Sequence, residues 1–189
     1  MPAFFTIGHS NRSVEEFTGL LRDADVERVI DVRAFPRSHM HPQFNEDVLP
    51  GSLATLGLSY EHMSALGGRR GKAKQVPAGV NGFWSNQSFH NYADYALSDA
   101  FRAGLDQLVA WGQVSRCVIM CSEAVWWRCH RRIITDYLIV RGEPVFHILG
   151  RGHVDEARLT PAAVPQPGGV IFYPAIETTA SGTEACCPE

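Results

Sequence analysis

Short apolar runs alternate with helical patterns along the first 150 residues, and this alternation limits the folds that the chain can adopt. The runs that we interpret as strands are residues 4–8, 28–33, 58–62, 117–121 and 144–149. Strands that alternate with helices form βαβ units, in which crossovers make the strands parallel and place helices on both faces. The sequence therefore predicts a single three-layer α/β domain with a mainly parallel sheet of about five strands flanked by helices.

The alternation ends after Gly150, where prolines and glycines become frequent. We predict an α/β domain over residues 1–150, an irregular C-terminal extension over residues 151–177 and a disordered tail over residues 178–189. Within the extension, residues 170–173 either add a strand or pack on the surface. The tail carries Cys186 and Cys187, for which the sequence offers no role.

Composition narrows the class of protein. The formal net charge of −3 argues against a wholly basic nucleic-acid binder, although it permits a local basic patch. No apolar run approaches the roughly 20 residues of a membrane span, so we expect no membrane partner. Five cysteines, two of them adjacent, make a poor disulfide framework, and the first residues lack the charged segment of a signal peptide. We therefore predict a cytoplasmic protein with reduced thiols.

Polar residues follow two of the predicted strands. His9, Ser10 and Arg12 come after the first strand, and Asp31 and Arg33 end the second. Parallel strands end along one edge of a sheet, where open α/β folds bind ligands, so we expect these side chains to share a crevice. The arginines suit an anionic ligand. As alternatives, Ser10 only forms a turn, and Asp31 forms a structural ion pair instead of transferring protons.

The fourth strand ends in Cys121-Ser122-Glu123, and Cys129-His130-Arg131 follows within a helical pattern over residues 126–140. Cys121 is a candidate nucleophile if nearby cations stabilise its thiolate. A phosphatase loop places five residues between its cysteine and arginine, whereas six separate Cys121 from Arg128 here. Cys121, Cys129 and His130 are alternatively a zinc or redox site, although a closed zinc site needs four ligands. His130 also has the spacing of a core residue that faces the sheet, and on the same helix Arg131 is expected to point toward the edge of the sheet or another element.

Residues 64–87 form a long glycine-rich loop without periodicity, and loops of this length are usually functional or disordered. The segment Arg69–Lys74 holds four cations, and aromatic residues follow it. Cations with aromatics suit a single-stranded nucleic acid, although a charged run is more often a solvated loop. This loop supports the alternative that the protein is a non-catalytic nucleic-acid-binding module.

Several motifs in this order resemble the domain of unknown function 488 family, and the resemblance covers roughly residues 4–149. The resemblance implies a compact α/β fold of bacterial and archaeal cytoplasmic proteins, and no established reaction. It further implies that the thiol, Glu123 and the Cys-His-Arg group belong to one site. The motifs are Thr6-Ile7-Gly8-His9-Ser10, Asp31-Val32-Arg33 with Pro36 and Ser38, Leu66-Gly67-Gly68, Cys121-Ser122-Glu123 and Cys129-His130-Arg131.

We predict a small α/β enzyme that binds a phosphate-bearing ligand, either a nucleotide or a nucleic acid, at the carboxyl edge of the strands. No cofactor and no metal ligand is assigned, and the sequence leaves the reaction and the oligomeric state open. The predicted catalytic residues are Cys121, Glu123 and Asp31. The predicted ligand-binding residues are His9, Ser10, Arg12, Arg33, Cys129, His130 and Arg131.

Overall fold

The computed structural model describes residues 3–176, which form an α/β fold. The strands in this range are β1 (Phe4–Gly8), β2 (Arg28–Asp31), β3 (Ser59–His62), β4 (Cys117–Cys121), β5 (Val145–Gly150), β6 (His153–Glu156), β7 (Val164–Gln166) and β8 (Val170–Phe172). The α-helices are α1 (Val14–Asp23), α2 (Leu49–Ala54), α3 (Gln87–Tyr95), α4 (Asp99–Gly112) and α5 (Arg131–Val140). Short 3₁₀ turns lie at Pro42–Phe44, Ser64–Leu66 and Trp126–Arg128.

The main sheet has the strand order β3-β2-β4-β1-β5-β6 in the described part of the chain. Strands β1 to β5 are parallel to their neighbours, and β6 adds an antiparallel edge to β5. The chain leaves β1 towards β2 on one side and leaves β4 towards β5 on the other. The neighbouring strands β1 and β4 therefore flank the topological switch point, where a crevice opens at the carboxyl ends.

Each face of the sheet buries its own apolar layer, which confirms the predicted three-layer α/β architecture. On one face, residues of α1 and α2, including Phe17, Leu21 and Leu53, pack against β1, β2 and β4. On the other face, residues of α3, α4 and α5, including Tyr92 and Phe101, pack against the same strands. Burial on both faces explains why β1 and β4 are apolar at nearly every position.

Capping residues set several helix ends as the sequence predicts. The Ser13 hydroxyl accepts a hydrogen bond from the Glu16 N–H at 3.1 Å and begins α1. Ser98 caps α4 in the same way and separates it from α3. Asn45 does not cap a helix, because its side chain accepts a bond from the Ser38 N–H at 2.6 Å, and α2 begins at Leu49.

The prediction of one continuous helix over residues 126–140 is wrong at its start. Trp126–Arg128 form a separate 3₁₀ turn, and α5 begins at Arg131 with His130 as its N-cap. The Trp126 ring stacks on His147 of β5, with the ring centroids 4.4 Å apart and the planes 10° from parallel. This contact fixes the turn against the sheet, so Cys129 and His130 approach β4 before the helix starts.

The segment after residue 150 packs back on the domain. It contains β6 and the antiparallel pair β7–β8, and the side chains of Ile171 and Tyr173 are fully buried. The buried Asp136 carboxylate of α5 accepts bonds from the Thr160 N–H at 2.8 Å and from the Tyr173 hydroxyl at 2.9 Å. Burial raises the pKa of Asp136 to about 6. These contacts join the extension to the main layers.

Residues 177–189, which include the predicted disordered tail with Cys186 and Cys187, lie outside the described residues, as do Met1 and Pro2. None of the helices between residues 3 and 176 combines the length and the apolar character that crossing a bilayer requires.

Candidate functional site

The carboxyl ends of four parallel strands meet at one edge of the sheet. Gly8 is opposite Cys121 in the register of β1 and β4, and Asp31 is opposite both Met120 of β4 and His62 of β3. The residues that follow these positions extend beyond the edge and surround a cavity of about 560 Å³. The predicted clustering of strand-end side chains therefore arises directly from the parallel topology.

Six of the ten predicted site residues line this cavity, and four do not. The lining residues are His9, Arg33, Cys121, Glu123, Cys129 and His130. Asp31 and Arg131 lie behind the lining, and each contacts a residue that is part of it. Ser10 is not part of the lining, and the Arg12 side chain bonds to the Gly8 and Leu149 carbonyls instead. The floor of the cavity and the residues directly behind it form two groups, which we call the carboxylate half (His9, Asp31, Arg33 and Tyr60) and the thiol half (Cys121, Cys129, His130 and Arg131).

In the carboxylate half, a buried ion pair orients Arg33. The Arg33 Nε lies 2.9 Å from Asp31 Oδ1 and 3.0 Å from Oδ2, and the Arg33 backbone N–H donates to the same carboxylate. The Tyr60 hydroxyl donates to Asp31 Oδ2 at 2.7 Å, and burial together with the nearby carboxylate raises the pKa of Tyr60. These donors occupy both oxygens of Asp31. The carboxylate therefore positions Arg33 at the cavity wall.

His9 is neutral and has a defined tautomer. Its Nδ1 lies 2.9 Å from the Ser10 carbonyl, which can only accept, so Nδ1 carries the proton. The Nε2 lone pair then accepts from the Arg33 guanidinium at 3.3 Å. Burial, with a contribution from the Arg33 charge, lowers the pKa of His9 to about 4. The ring stacks on Phe44 at a centroid distance of 4.3 Å, which the sequence did not indicate.

In the thiol half, three potential ligand atoms converge. The Sγ atoms of Cys121 and Cys129 and a ring nitrogen of His130 all lie within 4.8 Å of one another. The Cys129 Sγ is 3.6 Å from His130 Nδ1. The His130 Nε2 is 3.0 Å from the Val32 carbonyl, so Nε2 carries the proton and Nδ1 presents its lone pair to the thiols. His130 is half-buried at the cavity wall rather than within the core.

Arg131 lies beneath the thiols, although it does not line the cavity itself. Its Nε donates to Cys129 Sγ at 3.2 Å, and its Nη2 donates to the Glu123 carbonyl. The side chain is only 1% exposed, and it forms no ion pair with a carboxylate in the described chain. Because a buried cation needs an anionic neighbour, Cys129 is the thiol that ionises first. Burial opposes this, yet Cys121 and Arg131 together lower the pKa of Cys129, while the pKa of Cys121 is raised.

Ser10 and Arg12 hold the backbone around the site. The Arg12 guanidinium donates to the Gly8 carbonyl and, at 2.9 Å, to the Leu149 carbonyl, so it joins the ends of β1 and β5. Ser10 has a φ of 50°, the left-handed conformation of a tight turn. A Cβ atom at Gly8 would lie 1.9 Å from the Glu123 carbonyl oxygen. Only glycine therefore lets the loop after β4 pass over the end of β1.

Several basic residues at the cavity were not among the predicted site residues. Arg37 and His41, in the loop after β2, also line it, as do Arg69 and Arg128. Loops that follow parallel strands surround the site at the carboxyl edge. Applied to the whole loop after β2, this rule would have included Arg37 and His41. Arg69 belongs to the basic loop of the alternative hypothesis. Its neighbour Arg70 instead stacks 3.7 Å above the Tyr95 ring and donates to backbone carbonyls.

Comparison with protein families gives a match over most of the α/β layers. The family model described as "Domain of unknown function DUF488" matches residues 13–138, which is more than half of the chain. This range contains Asp31, Arg33 and the whole thiol half, whereas His9 precedes it. No curated protein and no solved structure matches the chain. The extent of the match shows that the chain belongs to the domain of unknown function 488 family.

Proposed function

We propose that this protein is an enzyme that binds a phosphate-bearing ligand of nucleotide size in the cavity at the carboxyl edge of the sheet. The observation that carries the proposal is the charge of the cavity lining. Four arginines line it (Arg33, Arg37, Arg69 and Arg128), against the single carboxylate of Glu123. Arg33 and Arg37 have carboxylate partners outside the lining, so the excess positive charge at the cavity comes from Arg69 and Arg128, in a chain whose formal net charge is −3. Clefts lined by one sign of charge attract ligands of the opposite sign.

Two of these arginines are free to contact a ligand. Arg33 is held by Asp31, and Arg37 forms an exposed ion pair with Glu46 at 2.9 Å. Arg69 and Arg128 form no ion pair with any residue between 3 and 176. A guanidinium presents paired N–H donors that match two phosphate oxygens. Arg69 and Arg128 are therefore the residues that we assign to direct phosphate contact.

An aromatic surface adjoins the free cations. The Phe35 ring is 70% exposed, and the Arg69 guanidinium lies 5.7 Å from its centre. Phe89, which stacks on Trp84 at 5.0 Å, lines the same cavity. Exposed rings beside arginines provide a stacking surface for a nucleobase next to a phosphate site. The volume of about 560 Å³ also falls within the range of small-molecule sites.

Reactive groups lie close to the cations. The Glu123 carboxylate lines the cavity, and its Oε1 accepts only a 3.4 Å bond from the Val125 N–H within the described chain. It is therefore free to act as the general acid or base. Cys121 and Cys129 supply thiols at the floor. Cys117, Cys121 and Cys129 are all unpaired thiols, which agrees with a reducing compartment such as the cytoplasm.

Ligand binding is tested by calorimetry with inorganic phosphate, a nucleoside monophosphate and a nucleoside triphosphate as probes. We expect the double variant Arg69→Gln/Arg128→Gln to weaken binding by at least tenfold, about 1.4 kcal/mol. The control is Arg22→Gln, an exposed arginine in the last turn of α1, at the opposite edge of the sheet. Failure of every probe to bind, or equal binding by the double variant, would overturn the proposal.

Catalysis is tested separately by following the conversion of a bound probe with time. We expect Glu123→Gln to abolish conversion while binding persists, because the amide cannot transfer the proton. Glu15→Gln, an exposed change on α1, should convert the probe at the normal rate. Conversion that continues unchanged in Glu123→Gln would remove Glu123 from the mechanism.

A single-stranded nucleic acid is the second candidate, because the basic loop continues from Arg69 to the exposed Lys72 and Lys74. Phosphate contacts along such a strand would make the affinity fall steeply with salt, whereas one nucleotide gives a shallow dependence. A short oligonucleotide that binds more tightly than the mononucleotides, and that loses affinity in Lys72→Gln/Lys74→Gln, would favour this candidate.

A further inference from the structure

The thiol half has the donor atoms and the spacing of a metal site. A tetrahedral zinc ion bound at about 2.3 Å by sulfur and about 2.0 Å by nitrogen separates its ligand atoms by roughly 3.5–3.8 Å. The Cys129 Sγ and His130 Nδ1 are 3.6 Å apart, and Cys121 Sγ lies within 4.8 Å of both. Closing this triangle around an ion requires shifts that are small compared with a side-chain rotation. Sulfur and imidazole ligands together favour zinc among the divalent ions.

The ring of His130 is oriented for coordination before any ion binds. Its Nε2 donates to the Val32 carbonyl at 3.0 Å, which fixes the tautomer and directs the Nδ1 lone pair to the thiols. Histidines that bind metals usually make this kind of bond from the other ring nitrogen. A Cβ atom at Gly68 would lie 2.3 Å from His130 Nδ1. Gly68 therefore leaves the coordinating nitrogen open.

A charged donor also contacts one of the two thiols. Arg131, which is almost fully buried, donates to Cys129 Sγ, and in the described chain the guanidinium has no carboxylate partner. Hydrogen bonds to metal-bound sulfur are a common outer contact of such sites. Thiolates, not thiols, bind metal ions, and Arg131 favours the thiolate form of Cys129.

The arrangement leaves one coordination position open. Cys121, Cys129 and His130 all line the cavity, so the side of the triangle away from the core faces the ligand space. Glu123 lines the same cavity but does not belong to the group of converging ligand atoms. Zinc sites with three protein ligands and an open fourth position are catalytic rather than structural.

We propose that Cys121, Cys129 and His130 bind a zinc ion whose fourth position opens into the cavity. Such an ion polarises a phosphate or carbonyl oxygen, or activates a water molecule. The metal site stands on its own ligand geometry and does not require that the cavity bind a nucleotide. It goes beyond the proposed function by adding a Lewis acid beside Glu123.

The experiment uses the full chain without a histidine tag, reduced, treated with a chelator and then titrated with Co²⁺. We expect one equivalent of Co²⁺ to produce thiolate charge-transfer bands and the visible bands of a tetrahedral ion, and Zn²⁺ to displace it. Cys129→Ser should lose these bands. Cys117→Ala removes a buried thiol at the other end of β4 and should keep them.

Gly68→Ala tests the geometry without removing a ligand. The added Cβ atom must displace His130, so we expect Co²⁺ affinity to fall roughly 10–100-fold, as for other changes that disturb ligand orientation. Circular dichroism checks that each variant is folded.

The proposal is overturned if Co²⁺ gives no charge-transfer bands, if Cys129→Ser binds like the unmodified protein, or if folded Cys117→Ala loses the bands as well. It is also overturned if Cys121 and Cys129 form a disulfide and the reduced protein takes up no metal. Phosphate binding by the metal-free protein, after treatment with the chelator, is measured in parallel. The metal-site proposal and the proposed function can therefore fail independently.

Discussion

The two halves of the cavity floor are each built on a buried arginine, but the two arginines have different partners. Arg33, 6% exposed, pairs with the Asp31 carboxylate, which also accepts from Tyr60. Arg131, 1% exposed, donates to a thiol sulfur and a backbone carbonyl. The charge of the carboxylate half is therefore already balanced, whereas the thiol half favours an anionic sulfur. The carboxylate half therefore orients Arg33 at the cavity wall, whereas the thiol half favours the thiolate form of Cys129.

The histidines of the two halves differ in the same sense. The Nδ1–H of His9 donates to a carbonyl, and its Nε2 lone pair is used by Arg33. The Nε2–H of His130 donates to a carbonyl, and its Nδ1 lone pair faces the thiols. One imidazole is thus fully satisfied by protein groups. The other keeps an acceptor directed at the cavity floor.

The largest expected effect comes from breaking the ion pair of the carboxylate half. Asp31→Asn leaves the Arg33 guanidinium buried without an anion, and we expect a loss of about 3–5 kcal/mol of unfolding free energy in urea titrations. The double variant Asp31→Asn/Arg33→Met should recover part of this loss, because it removes the unpaired charge. A double variant that is less stable than Asp31→Asn would show that the pair is not the cause.

The second-largest expected effect is that the unfolding free energy depends on pH because of His9. Its pKa is about 4 in the folded protein and 6.5 when unfolded, so the unfolded chain binds the additional proton between these values. The stability from neutral His9 is complete above pH 6.5 and is lost as the pH falls towards 4, by about 3 kcal/mol.

Urea titrations of the protein and of His9→Gln at each pH isolate this contribution. His147, whose pKa burial also lowers to about 4, and Asp136 titrate in both proteins and cancel in the difference. Parallel pH profiles for the two proteins would mean that His9 is not buried in its neutral form.

A smaller effect is the difference in stability loss between replacing Cys129 and replacing Cys121. In chelated protein, Cys129→Ala removes the acceptor of the buried Arg131 Nε, and we expect it to cost about 1.5–3 kcal/mol. Cys121→Ala, which leaves no charged donor without a partner, should cost on the order of 1 kcal/mol for the lost packing. Thermal unfolding of both variants beside the unmodified protein measures the difference. Equal losses would indicate that Arg131 does not depend on Cys129.

The smallest effect concerns the third partner of the carboxylate. Tyr60→Phe removes one hydrogen bond to Asp31 and should cost about 1 kcal/mol. The same change in the Asp31→Asn/Arg33→Met background should cost clearly less, because the charged acceptor is gone. A double-mutant cycle by urea unfolding gives the coupling. Equal losses of unfolding free energy in the two backgrounds would show that Tyr60 is not coupled to the Asp31–Arg33 pair.

Most of the architecture follows from local patterns in the sequence. Apolar runs bounded by turns locate β1, β2 and β4, and capping residues such as Ser13 and Ser98 locate helix starts. Parallel strands then bring His9, Arg33 and Cys121 to one edge. This part of the site is predictable because it depends only on strand order along the chain and on the common direction of the strands.

The remaining features depend on contacts between distant residues. Periodicity cannot show that Trp126 stacks on His147, which separates the turn from α5 and directs Arg131 to the floor. Sequence spacing also cannot show that the Arg12 guanidinium donates its hydrogen bonds to the Gly8 and Leu149 carbonyls. The direction of a long side chain is decided by which distant acceptors are available, and one sequence does not contain this information.

The strand order has a consequence for how the protein is made. Strand β4 lies between β1 and β2, although β1 and β2 are joined directly through α1. A nascent chain that has not yet emerged past Cys117 therefore carries His9 and Arg33 on two strands whose shared neighbour is missing. Pairings between segments so distant in sequence form slowly. The insertion of β4 between β1 and β2 therefore brings the two halves together. A ribosome-bound chain halted before β4 lacks the cavity that a ligand would occupy.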